Sequence, residues 1–137
     1  MKHSEPCSRS LARDFVVLSP DKRATVETAD AGLYQRLDEN YQDFAGHELI
    51  ALHQFDSDWG SWEIHPHGDE VVVLVSGEIT FVLQLPDGES SVTLSEAGSY
   101  VIVPRNVWHT ARTDVSCSVL FITPGQETQH AAVPPKP

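Results

Sequence analysis

Glu63, His65, His67 and Glu70 fall within one short stretch, Glu63-Ile64-His65-Pro66-His67-Gly68-Asp69-Glu70, and His109 follows about forty positions later. Imidazoles and carboxylates gathered in this way suit a divalent transition metal (Fe, Mn, Ni or Zn) and leave coordination positions open. A metal held by such a set polarises a carbonyl, or acidifies water to make a base or nucleophile. A second carboxylate hardens the set and leans it toward Mn or Fe. Neither Cys7 nor Cys117 is placed to add a thiolate. The same residues have a plainer reading: histidines beside Pro66 and Gly68 are ordinary in loops, and Glu70 could cap a turn. No Gly-rich phosphate loop, Ser-His-Asp arrangement or reactive-cysteine setting competes with the cluster.

The elements that must position these residues are almost all strands. Phe15-Val16-Val17-Leu18 is a short apolar run stopped by Ser19-Pro20, which predicts a first strand. Residues 23–42 are mixed and acidic, and Leu33, Tyr34 and Leu37 fit either a strand or a short helix. Residues 47–55 alternate, with Leu49, Ala51 and Phe55 on one face. Further strands are predicted at 59–65, 71–75, 79–85, 92–94, 100–103, 107–112 and 117–123. Pro86-Asp87-Gly88 marks a turn, because Pro presets one dihedral and Gly permits a positive one. Many short strands without a convincing long helix imply an all-β sandwich or barrel. Glu63 and His65 are two apart, so a strand turns both to one face. Pro66 and Gly68 bend the chain before His67 can join them.

Two segments resemble the signature motifs of the cupin superfamily. The later family motif reads Gly, five residues, Pro, one residue, Gly, two residues, His, three residues, Asn. Gly98, Pro104, Asn106, His109 and Thr113 stand at those spacings. Asn106 replaces a glycine, and asparagine tolerates a left-handed conformation best among the other residues. The earlier motif reads His, one residue, His, three or four residues, Glu, six residues, Gly. Glu70 and Gly77 fit its last step, but only two residues separate His67 from Glu70. Counting back four residues from Glu70 reaches His65, and two further reaches Glu63. Trp62-Glu63-Ile64-His65-Pro66 is similar to the Trp-Glu-x-His-Pro stretch of some small cupins. The resemblance thus implies His65, Glu70 and His109 as metal ligands, with Glu63 in the place of the first histidine. His67 is the alternative ligand and is expected at the rim.

The resemblance also implies the fold: a cupin-type double-stranded β-helix, or jelly-roll barrel, over residues 14–124. Residues 1–13 are expected to be a flexible lead-in and residues 125–137 a partly ordered tail. Cupins of this size are usually homodimers, and Phe15-Val16-Val17-Leu18 is a candidate strand for crossing to a partner. Trp62 and Trp108 are expected to pack away from the ligands. His53 is expected inside the barrel as a structural residue; Tyr100 and Arg105 could line its mouth, with a solvated role favoured for Arg105 because it sits on the turn before Asn106.

The 137 residues suit one domain. Twenty acidic against nine basic residues give a net charge of −11, which argues against nucleic acid and anionic membrane surfaces as partners. No segment reads as a signal peptide or membrane span, so a reducing, cytoplasmic setting is expected. The first functional expectation is a metal-dependent enzyme, dioxygenase- or isomerase-like, acting on a small organic molecule. The alternative is a non-catalytic metabolite-binding or sensing module, with or without metal. A metal-free structural dimer is the third reading, and the sequence does not choose an enzyme over the others.

Overall fold

The computed structural model describes residues 6–133. The expected flexible lead-in lies outside the described residues at positions 1–5, as does the end of the tail at 134–137. Eleven strands occupy the described residues. They are β1 (Asp14–Leu18), β2 (Ala24–Thr28), β3 (Glu48–Phe55), β4 (Trp62–Ile64), β5 (Glu70–Ser76), β6 (Ile79–Leu85), β7 (Gly88–Leu94), β8 (Tyr100–Val103), β9 (His109–Arg112), β10 (Cys117–Thr123) and β11 (Gln129–Ala131). One helix, α1 (Leu33–Asn40), and a short 3-10 turn at Gln42–Phe44 precede β3. The strands form two antiparallel sheets, ordered β2-β1-β3-β10-β5-β8 and β11-β4-β9-β6-β7. They face each other as the jelly roll that the sequence predicts.

Residues 23–42, which the sequence left between strand and helix, contain both. β2 is the edge strand beside β1. In α1, Leu33 and Leu37 stand one turn apart and are buried, as the helical period requires. They close a small second core with Phe15, Val17, Phe44, Leu49 and Ala51. Arg36 secures the helix to β2 through Glu27 at 3.1 Å and to the intervening loop through Asp30 at 2.7 Å. The Phe15–Leu18 run lies in β1, and both edges of that strand are paired within the chain, with β2 on one side and β3 on the other.

The main core lies between the sheets and is built on Phe81, Leu74, Ile79, Val72 and Val119. β5 shows how alternation sets it. Glu70, Val72 and Leu74 turn inward and are buried, whereas Val71, Val73 and Val75 turn out. The strand therefore places one carboxylate at the end of an otherwise apolar inward row. Gly77 makes the β5–β6 turn possible. Its φ is +84°, and a Cβ there would collide with the Ser116 carbonyl. Asn106 has φ +61°, so it does adopt the left-handed conformation expected of the residue in the glycine's place.

Candidate metal centre

Four of the chemistry-bearing residues meet at one end of the jelly roll. Glu63 on β4 lies directly opposite His109 on β9. His65 follows β4, and its carbonyl accepts the Asn106 N–H at 2.9 Å, which joins the two motif-bearing loops. Glu70 opens β5. The Glu63, His65 and His109 ligating atoms all lie within 4.8 Å of one another. Glu70 reaches both imidazoles, with Oε1 3.2 Å from His109 Nε2 and Oε2 3.4 Å from His65 Nε2. Glu63 Oε1 stands 3.8 Å from each Nε2. His65, Glu70 and His109 are 5%, 2% and 0% exposed, whereas the Glu63 side chain keeps 25%.

The outward atoms of all four side chains are held. His109 Nδ1 donates to the Val107 carbonyl at 3.2 Å. His65 Nδ1 lies 2.8 Å from Thr128 Oγ1, and that hydroxyl already donates to the Gly125 carbonyl at 3.1 Å. The hydroxyl proton is thus spent, and His65 Nδ1 must be the donor. In their neutral forms both imidazoles therefore carry their lone pair on Nε2, facing inward. Thr123 donates to Glu70 Oε2 at 2.6 Å, and His130 Nε2 lies 2.9 Å from Glu63 Oε2. Outer partners of this kind fix the tautomer and orientation of metal ligands.

The inward atoms are different. Among the described residues, four buried side-chain polar atoms have no hydrogen-bond partner: His65 Nε2, Glu70 Oε1, His109 Nε2 and Trp59 Nε1. The first three converge on one point. The closest distances between these side chains are 3.2 and 3.4 Å, and none of the three atoms forms a hydrogen bond. Burial raises the Glu70 pKa, but His109 and His65 outweigh it and hold the carboxyl at about 2. Burial lowers the His109 pKa, and the Glu70 carboxylate overrides it and pushes the value up. A cation is thus already favoured beside Glu70, and a divalent metal can take the proton's place. The donor set and the orphaned atoms fit a divalent transition metal.

The centre opens on a cavity of about 1110 Å3. Its walls include Phe44, Phe55, Trp59 and Phe121, and Trp59 packs edge-on to Phe81 and against the His109 ring. His53 lines the cavity too, packed among Phe15, Phe55 and Phe121. Burial lowers its pKa, partly offset by Glu63.

His67 lies outside the cluster. It is 44% exposed and pairs with Glu127 at 2.7 Å. One expectation about the mouth is corrected. Tyr100 is 62% exposed on β8, away from the cavity, because Val101 and Val103 form the inward row and Tyr100 has the outward parity of Ile102. Arg105 is exposed, in keeping with the solvated role favoured from sequence; it faces a separate smaller cleft and sits 3.6 Å from Asp69. The sequence reading missed Thr123, Thr128 and His130. Thr123 had a usable signal, since it shares the inward parity of Val119 and Phe121 on β10. Thr128 and His130 had none, because β11 is a three-residue strand whose pairing with β4 sets His130 opposite Glu63.

Residues 55–123, half of the chain, match the family model for the cupin domain. The chain belongs to the cupin family. No curated protein sequence matches this cupin. Among solved structures, a Neisseria meningitidis protein is 29% identical over 56% of this chain and 72% of its own, with a TM-score of 0.47. A cupin-2 domain protein of Shewanella frigidimarina is 25% identical over 56% and 70%, with a TM-score of 0.46. Hydroquinone 1,2-dioxygenase from a Sphingomonas species is 17% identical over 56% and 58%, with a TM-score of 0.49. The family assignment rests on the domain match and the two-sheet architecture.

Proposed function

We propose that this cupin holds one divalent transition metal through His65, Glu70 and His109, with Glu63 as a fourth donor, and acts as a metal-dependent enzyme on a small organic molecule. The observation that carries this reading is the convergence of three unpartnered, buried polar atoms at the floor of a large cavity. Leaving such atoms unpaired costs about 1–3 kcal/mol each, so the arrangement favours an occupant that accepts three lone pairs. When bound, the metal supplies Lewis acidity at the cavity floor. The chain's own contribution is orientation and desolvation. Val107, Thr123, Thr128 and His130 point the donors inward, and Trp59, Phe55 and Phe121 keep water from that side of the floor. The chemistry would be of the dioxygenase or isomerase type.

The test is oxygen uptake and product analysis by the Fe(II)-loaded protein with small phenols and diketones, beside His109→Ala. Turnover abolished in the variant supports the enzyme reading. Tight metal and ligand binding without turnover supports the alternative of a sensing module, which the breadth of the aromatic-walled cavity also suits.

The same reading includes a homodimer. The outward face of the larger sheet is apolar: Val73, Val75, Tyr100, Ile102, Leu120 and Ile122 lie side by side across β5, β8 and β10. Such a face suits a second copy. Sedimentation should give a dimer for the wild type and a monomer for Ile102→Arg. A monomeric wild type contradicts it.

A further inference from the structure

The cavity's charge is as one-sided as its floor is specific. Among the described residues, seven carboxylates line it, from Asp38, Asp43, Asp56, Asp58, Glu63, Glu70 and Glu127, and none of the lining residues is a lysine or arginine. Glu63 and Glu70 belong to the floor and would neutralise a divalent ion. Five carboxylates then remain around the mouth. Glu127 is paired with His67, and Asp58 Oδ1 accepts the Thr113 N–H at 2.9 Å. Asp38, Asp43 and Asp56 have no hydrogen bond or ion pair among the described residues and are exposed. They come from two walls: Asp38 and Asp43 from α1 and the turn after it, Asp56 from the end of β3.

Aromatic surface accompanies these acids. Tyr34 stands one helical turn before Asp38, and both line the cavity. Phe55, which precedes Asp56 in the chain, also lines the cavity. A carboxylate beside an aromatic face is a favourable setting for an ammonium group, through charge and through the ring's quadrupole. A ligand bearing a carboxylate or phosphate would instead require an arginine fork or a lysine, and the walls offer neither.

We infer that the cavity selects an organic cation, a small molecule with a planar apolar body that reaches the floor and an ammonium group that remains among the mouth carboxylates. The inference rests on the proposed metal site only for the depth at which the body anchors. The charge preference belongs to the walls. Because the mouth carboxylates are solvated, the preference acts within a Debye length of roughly 8–10 Å and weakens with salt.

The test is calorimetric or NMR titration of the full chain under anaerobic conditions, both metal-free and loaded with redox-inert Zn(II). The probes share one metal-binding body: dopamine as the cation, 4-methylcatechol as the neutral member and 3,4-dihydroxyphenylacetate as the anion. At low ionic strength the cation should bind at least about tenfold more tightly than the anion, with the neutral probe between them, and the gap should narrow as salt rises. The triple variant Asp38→Asn, Asp43→Asn, Asp56→Asn should weaken the cation more than the neutral probe. The proposal is overturned by an anion that binds as tightly as the cation, by a charge order unchanged in the triple variant, or by a Zn(II)-loaded protein that binds none of the probes. Failure to take up Zn(II) contradicts the metal reading instead, and the charge order is then read from the metal-free protein.

Discussion

His65 and His67 are two residues apart, yet they belong to different regions with different chemistry. His65 lies on the cavity floor with Glu70 and His109, almost fully buried, with its outer nitrogen held by Thr128 and its inner nitrogen unpartnered. His67 lies at the surface, where Glu127 already satisfies it. Glu63 stands between these cases: one oxygen is held by His130 near the mouth, and the other faces both floor imidazoles. What separates floor from surface is which atoms are left without a partner once the fold is made. A surface pair such as His67–Glu127 is worth about 0–1 kcal/mol and is complete without an ion. The floor is incomplete without a cation.

The comparison can be broken most sharply at the floor. His109→Ala or His65→Ala should reduce bound metal to near zero, measured by elemental analysis after reconstitution, with folding checked by circular dichroism. Retention of stoichiometric metal in both variants would remove the distinction. Glu63→Gln and His67→Gln test the border between the regions. The first should weaken metal affinity by about tenfold or more, or roughly 1.4 kcal/mol. The second should change it less than about fivefold, in keeping with an exposed pair. The reverse order would move His67 into the centre.

An effect of similar size to that of Glu63→Gln is expected from the outer partners. Thr128→Val removes the group that fixes the His65 tautomer and should lower metal affinity by about 10–100-fold. Thr128→Ser should restore it, and should also restore the ligand-field or EPR spectrum of a Co(II)- or Mn(II)-loaded protein. An unchanged spectrum in Thr128→Val would mean that the tautomer needs no such support. The smallest effect concerns His53. Its pKa is lowered in the folded state by burial, so the unfolded chain binds the proton more readily. Stability should therefore fall as pH drops through about 6.5, the ordinary histidine value. In His53→Phe this part of the slope should vanish in denaturant titrations at pH 5–8, and a slope equal to that of the wild type would contradict the assignment.

Much of this contrast was legible in the chain before any coordinates. The valine-rich run behind Glu70 marks β5, but its unbroken apolar sequence does not show which residues turn inward. The step from Glu70 back to His65, rather than to the nearer His67, follows from spacing, and Pro66 with Gly68 supplies the physical reason the chain turns between them. Asn106 could be recognised as a glycine substitute because it stands at the glycine's place in the cupin motif and asparagine tolerates a left-handed conformation. The β2–α1 region resisted because Leu33 and Leu37 satisfy a helical period while the preceding residues Ala24–Thr28 are strand-like, and eight residues of helix give too short a pattern to separate them. The roles of Thr128 and His130 were illegible for a different reason. They arise from the long-range pairing of β11 with β4, which local propensity does not encode. Tyr100 was misplaced because nearness to a motif in sequence does not fix which side of β8 it faces.

The most direct test of the central claim is metal uptake by the purified full chain, stripped with chelator and then offered Fe(II), Mn(II), Ni(II) or Zn(II) anaerobically. One equivalent bound per chain, lost when His109 is replaced by alanine, is the predicted result. No retained equivalent of any of the four metals would contradict the account.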